Sequence, residues 1–223
     1  MQTVYYSLMR IFLAPLLSLQ LAFLGIAHIA QQATAMGTAI ADSHEGMTIG
    51  VEPWTQPSQY REKFPKKSPL AGGVVALRVS FHNTSDQGIR VDLQRIRLLL
   101  LLDEENRQEL APLTAEDVAD TVLLKENGKD PTSKRNPLPI PVGKPRTSRD
   151  SNWTNFKEAC QNAGVPSSVV AARGSVEGLL YFDLRGEVEL LKRAHLYIPN
   201  LVTMGDNHPL VYFDLDLGHS SSN

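Results

Sequence analysis

One cysteine occurs in the 223 residues, and no acidic residue precedes Asp42. A lone Cys160 cannot close an intrachain disulfide, so the chain is not a small cross-linked scaffold, and any fold must rest on its own core. A strong charge of either sign is also missing, with 22 Lys and Arg against 24 Asp and Glu. That balance leaves no basic footprint for nucleic acid and no strong overall pull toward an anionic membrane. No phosphate-cradling glycine loop, redox C-x-x-C or haem C-x-x-C-H is present, and no cofactor is expected.

The acid-free start has a pattern of its own. Arg10 is the only base before Arg61, and the apolar stretch Ile11 to Ala27 follows it. Small-residue sites come next, at Ala33-Thr34-Ala35 and Ala39-Ile40-Ala41. A positive residue, an apolar run and an A-x-A site together predict a secretory signal peptide over residues 1–41, with Met9 as a fitting start. Cleavage falls after Ala35 or Ala41; the alternative is a retained anchor. Pro15, Ser18, Gln20 and His28 interrupt the run, and no Lys/Arg cluster follows it, which disfavours a stable membrane span. The expected setting is extracytoplasmic, periplasmic or secreted.

Residues 42–223 read as a single domain of strands. Val75, Leu77, Val79 and Phe81 alternate with Ala76, Arg78, Ser80 and His82, the pattern of a half-buried strand. Ile89, Val91 and Leu93 share a face, after which Ile96, Leu98, Leu100 and Leu102 take the opposite phase. That slip predicts a bulge or bend at Gln94-Arg95. Val176, Leu180, Phe182 and Leu184 form a further strand face, as do Val211, Phe213, Leu215 and Leu217. His195–Ile198 is a short strand closed by Pro199, and Met47–Val51 reads as an opening edge strand. Short strands without regularly alternating helices predict a mainly β fold, an antiparallel sandwich.

An insertion at about 104–170 breaks this pattern. Thr114–Leu124 and Asn152–Gly164 have the caps and spacing of short helices. The stretch 125–151 between them carries five prolines, seven Lys/Arg and three acids, and has too little apolar area to offset its ordering.

The runs Gly174-Ser-Val-Glu-Gly-Leu-Leu-Tyr-Phe-Asp-Leu184, Ala194-His-Leu-Tyr-Ile-Pro199 and Leu210-Val-Tyr-Phe-Asp-Leu-Asp-Leu217 resemble the closing strands of telokin-like immunoglobulin-fold domains of bacterial secreted proteins. Val75-Ala-Leu-Arg-Val-Ser-Phe-His-Asn-Thr-Ser85 is similar to that family's early strand. The resemblance covers 47–103 and 171–217 and leaves 104–170 without a counterpart. It implies an immunoglobulin-like β-sandwich and an extracytoplasmic setting, and brings no catalytic residues with it.

Chemistry is sparse. Gly174-Ser175-Val-Glu-Gly178 lacks the G-x-S-x-G spacing of a nucleophile turn and sits on a strand pattern. Asp183, Asp214 and Asp216 lie where outward strand faces are expected. Met204, Asp206 and His208 combine thioether, carboxylate and imidazole within five residues, which suggests a copper-type ligand set or an ordinary turn. Cys160 reads as a small core residue or a reactive thiol. Trp54, Tyr60 and Phe64 stand beside Arg61, Lys63, Lys66 and Lys67, either as a stacking surface or as a packed segment. Trp54, Tyr60, Lys134, Arg135, Lys144 and Arg146 are the candidates for meeting a protein, peptide or envelope component. The expected role is non-enzymatic binding; the alternatives are metal handling through Met204 and His208, or a hydrolase site near Glu104, Asp117 and Lys125.

Overall fold

A computed structural model of the chain describes residues 40–102, 106–124 and 149–218. Among these residues the protein is mainly β, with three antiparallel sheets and few helices.

The first sheet runs in the order β1–β2–β3–β8, built from β1 (Ile40–His44), β2 (Met47–Trp54), β3 (Val74–Asn83) and β8 (Ser175–Asp183). Glu45 and Gly46 turn β1 into β2 with positive φ angles of 49° and 77°. Met47–Val51 is therefore interior, paired on both sides, and β1 takes the edge position expected for it. The second sheet, β10–β4–β7, contains β10 (Leu201–Thr203), β4 (Ile89–Val91) and β7 (Val169–Val170). The third, β11–β9–β5–β6, contains β11 (Phe213–Asp216), β9 (Ala194–Ile198), β5 (Arg97–Leu101) and β6 (Arg107–Leu110).

The phase slip has a clear structural cause. A single 3-10 turn, Leu93–Arg95, separates β4 from β5, and the two strands join different sheets. Asp92 stabilises it by accepting from the Gln94 amide at 3.2 Å. Ile89, Val91, Ile96, Leu98 and Leu100 all enter one buried cluster, although Leu102 is left exposed. Val211 is another departure: β11 begins only at Phe213, and Val211 is 55% exposed.

One core cluster gathers Met47, Ile49 and Val51 of β2, Val75, Leu77, Val79 and Phe81 of β3, and Leu196, Ile198, Phe213 and Leu215 of β9 and β11. The first and third sheets thus bury their apolar faces in common. Their edges also meet, where the His44 ring stacks on Phe213 with centroids 3.7 Å apart. The Glu45 carboxylate accepts from the Val211 amide there at 2.6 Å.

A second cluster lies on the opposite face of β3 and β8. Val74, Ala76, Leu179 and Tyr181 are buried there beneath two helices, α2 (Ala115–Leu124) and α3 (Ser151–Ala163). Half of the β3–β8 pair is consequently buried on both faces, while Arg78, Ser80, His82, Ser175 and Glu177 keep the other half of this face polar. Part of the 104–170 insertion is structural: it supplies β6, β7 and both covering helices. Arg149, Asp150 and Ser151, at the end of the basic stretch, belong to the start of α3, where Asp150 caps the Trp153 amide at 3.0 Å. No helix among the described residues is long and apolar enough to cross a membrane.

Candidate functional site

After β2 the chain makes a short helix, α1 (Pro57–Tyr60), opened by a reciprocal Gln56–Gln59 capping box and by Pro57 at the first helical position. Tyr60 ends it and is fully buried, its ring edge-on to Trp54 with centroids 5.3 Å apart. The Tyr60 hydroxyl donates to the Trp54 carbonyl at 2.7 Å and accepts from the Ala76 amide at 2.9 Å. Burial pushes the phenol up to about 12. Of the two readings of this stretch the burial fits the packed segment: Trp54 and Tyr60 are internal anchors and are not placed to meet a partner, contrary to the expectation of them as partner candidates. Aromatic bodies with a satisfied polar atom gain most by burial, and both have one side against the helical layer.

Those anchors fix the next segment. The Phe64 amide donates to the Tyr60 carbonyl at 2.8 Å, and the Phe64 ring reaches Phe156 of α3 at a centroid distance of 6.0 Å. The chain then runs along the helices with Lys63 and Lys66 exposed and Lys67 half-buried. The facing walls come from α2 and α3. Thr114 and Asp117 form a capping box that starts α2, with each side chain accepting from the other's backbone amide at 3.2 Å. Asp117, expected as a possible enzymatic group, is thus occupied as a helix cap.

Arg149 holds the two helices together. It pairs with Glu116 and Asp120 of α2, and its guanidinium lies 4.6 Å from the centre of the Trp153 ring on α3. The Trp153 indole donates to Asp120 at 2.8 Å. Leu123 of α2 then faces Asn152, Asn155, Phe156 and Ala159 of α3 across a cavity of about 470 Å³, closed on the third side by Lys63 to Lys67. Among the described residues its lining combines Phe64, Pro65, Leu123, Phe156 and Ala159 with Lys63, Lys66, Lys67, Asn152 and Asn155, and includes no carboxylate. A concave, largely apolar cavity of this size with a few polar groups at its margin suits a small ligand.

The remaining sequence candidates do not converge. Asp206 accepts from the Thr203 hydroxyl and, at 3.2 Å, from the His208 amide, and these bonds hold its carboxyl below the usual range, the hydroxyl contributing most. Met204 is 53% exposed on the same turn. No group of three His, Cys, Asp or Glu side chains that could hold a metal occurs among the described residues. The three strand aspartates serve locally: Asp183 accepts from the Arg185 amide at 2.9 Å, Asp214 pairs with His195 at 3.0 Å, and Asp216 accepts from the Gly218 amide at 2.8 Å. Lys134, Arg135, Lys144, Arg146, Glu104 and Lys125 lie outside the described residues. Cys160 is fully buried, and desolvation pushes its thiol up to about 12, far from the thiolate that reactivity requires.

One pairing escaped the sequence reading. His82 Nδ1 and Ser175 Oγ lie 2.7 Å apart across β3 and β8. The registration of two distant strands creates it, so sequence spacing carries no trace of it. Both residues are exposed on a flat strand pair, and the described residues supply no partner that orients the imidazole. Nucleophile and base stand together without the third group that a relay needs.

No family model matches the chain, and no curated protein does either. Among solved structures, a functionally unknown protein from Listeria monocytogenes EGD-e is 16% identical. The match covers 71% of this chain and 68% of that one, at a TM-score of 0.31. A likeness at that level supports neither a family nor a function.

Proposed function

We propose that the protein is an exported, non-enzymatic binding domain of the cell envelope or extracellular space. Its scaffold is an immunoglobulin-like sandwich of the telokin-like type. The acid-free, apolar N-terminal sequence with its A-x-A sites supports export. The common core of the first and third sheets supports the sandwich. The single observation that carries binding is the cavity of about 470 Å³ between Lys63–Lys67 and the two helices. Function is read from this site and not from the fold, since sandwiches host many unrelated roles.

The experiment compares the exported protein with an Ala159→Trp variant that fills the cavity. Both are fractionated from the native host and used to capture envelope components. The expected result is an extracytoplasmic protein whose captured component is lost in the folded variant. Retention in the cytoplasm, or an identical set captured by both, overturns the reading.

A further inference from the structure

We propose that this cavity takes a single-chain anionic amphiphile. Its apolar tail lies over Phe64, Phe156, Leu123 and Ala159, and its carboxylate or phosphate head sits beside the exposed Lys63 and Lys66. The inference rests on the binding reading above and names the ligand class of that same site.

The chemistry of the walls selects among occupants. A cationic ligand meets the exposed Lys63 and Lys66 and, among the described residues, no lining carboxylate. A tailless anion reaches exposed lysines, where ion pairs are weak, and leaves the aromatic floor wet. A neutral sugar finds two amides in the lining but would be stripped of water against a mostly apolar wall. A bilayer surface is excluded by depth, because Phe64 and Phe156 are recessed to 5% and 9% exposure and cannot insert into lipid as protruding side chains do. The chain's own segment 125–148 carries six Lys/Arg against two acids, the same sign as the rim. An anionic head with an apolar tail satisfies both parts of the site. The lysine stems add apolar wall while their ammonium groups stay in water beside the head. Lysine is a point charge on a flexible stem, so the rim accepts carboxylate and phosphate alike and lacks the bidentate geometry of arginine.

The test is calorimetric titration of the chain from Met36 onward, which contains the compact unit Ala39–Asn223. The probes, below micellar concentration, are dodecanoate, dodecyl phosphate, dodecyl maltoside, acetate and inorganic phosphate. The expected result is one saturable site for the two anionic amphiphiles, with at least tenfold weaker binding of the other three. Lys63 and Lys66 are exposed, so a Lys63→Gln/Lys66→Gln variant keeps its fold. It should bind dodecanoate at least fivefold more weakly and with less dependence on salt.

Equal affinity for dodecyl maltoside, or an unchanged affinity in the double variant, overturns the proposal. So does binding to phosphatidylglycerol vesicles without binding of monomeric dodecanoate. If no amphiphile binds while Ala159→Trp still abolishes envelope capture, this inference falls and the binding reading stands.

Discussion

The Tyr60 hydroxyl donates to the Trp54 carbonyl at 2.7 Å, at the point where the β2–β3 ladder ends. Trp54 is the last β2 residue in register with β3, opposite Ala76, and the same hydroxyl accepts from the Ala76 amide. A side chain thus continues the backbone hydrogen bonding of the sheet and carries the chain from strand to helical layer. Tyr60→Phe keeps the ring and strands two buried backbone groups, each costing about 1–3 kcal/mol. The expected loss is about 2–6 kcal/mol, with Tm lower by roughly 4–24 °C for a domain of this size. Urea denaturation checks it, and a loss below about 0.5 kcal/mol would show that water replaces the hydroxyl.

Cys160 and Tyr60 make stability sensitive to base. Burial raises the thiol from about 9 to about 12, and the phenol from about 10 to about 12. Both groups are neutral in the fold, so the unfolded chain releases their protons first as pH rises. Their contribution is whole below about pH 9 and is lost progressively toward pH 12. Melting temperature should hold from pH 7 to 8.5 and fall steadily above 9, and Cys160→Ser should shallow that fall. A thiol reagent at pH 8 should label Cys160 only after denaturant is added; rapid labelling of the folded chain would refute its burial.

Gly178 marks a contact between backbones. A Cβ there would lie 2.5 Å from the carbonyl carbon and oxygen of Gly164 and from Val165 Cα, where Gly164 bridges Leu179 in parallel. The obstacle is main chain and cannot rotate away, so Gly178→Ala should cost about 1–3 kcal/mol by overpacking. Ser175→Ala, on the same strand but exposed, should stay within about 0.5 kcal/mol. Denaturant midpoints measured side by side test the contrast. Equal effects would mean that the Gly164 backbone yields.

Much of the strand content was legible because one buried face leaves a period of two. Val75, Leu77, Val79 and Phe81 fall in the core as their alternation requires. Where burial is two-sided or the strand short, that signal vanishes. Val74 and Ala76 are buried on the face away from that core, and β6 and β7 are too polar or too brief to show a phase. Val211 fails for the opposite reason, since the alternation runs past the point where pairing starts.

The site was half legible. The lysines beside Phe64 stood out as a cluster, and Lys63, Lys66 and Lys67 line the cavity. Their aromatic neighbours left two readings open, because an aromatic next to lysine reads the same whether its ring turns inward or outward; Trp54, Tyr60 and Phe64 turn inward. The opposite wall, Asn155 to Ala159, is distant in sequence, and nothing in residue spacing announces which helix packs against which segment.

The first strand constrains how an exported form could be made. Ile40 pairs with Val51 and Ala41 with Gly50, and Ile40 packs against the core. A signal peptidase cutting after Ala41 would remove both residues and shorten the border strand whose His44 stacks on Phe213. A cut after Ala35 spares the strand and leaves Met36 to Ala39 as a lead-in. Under the proposed export, intact-mass measurement should find Met36 at the N-terminus; Asp42 there would show that the sheet dispenses with its outermost pairings. The sheet's border thus sets a lower limit on where any mature chain can begin: only a start at or before Ile40 keeps every pairing of β1.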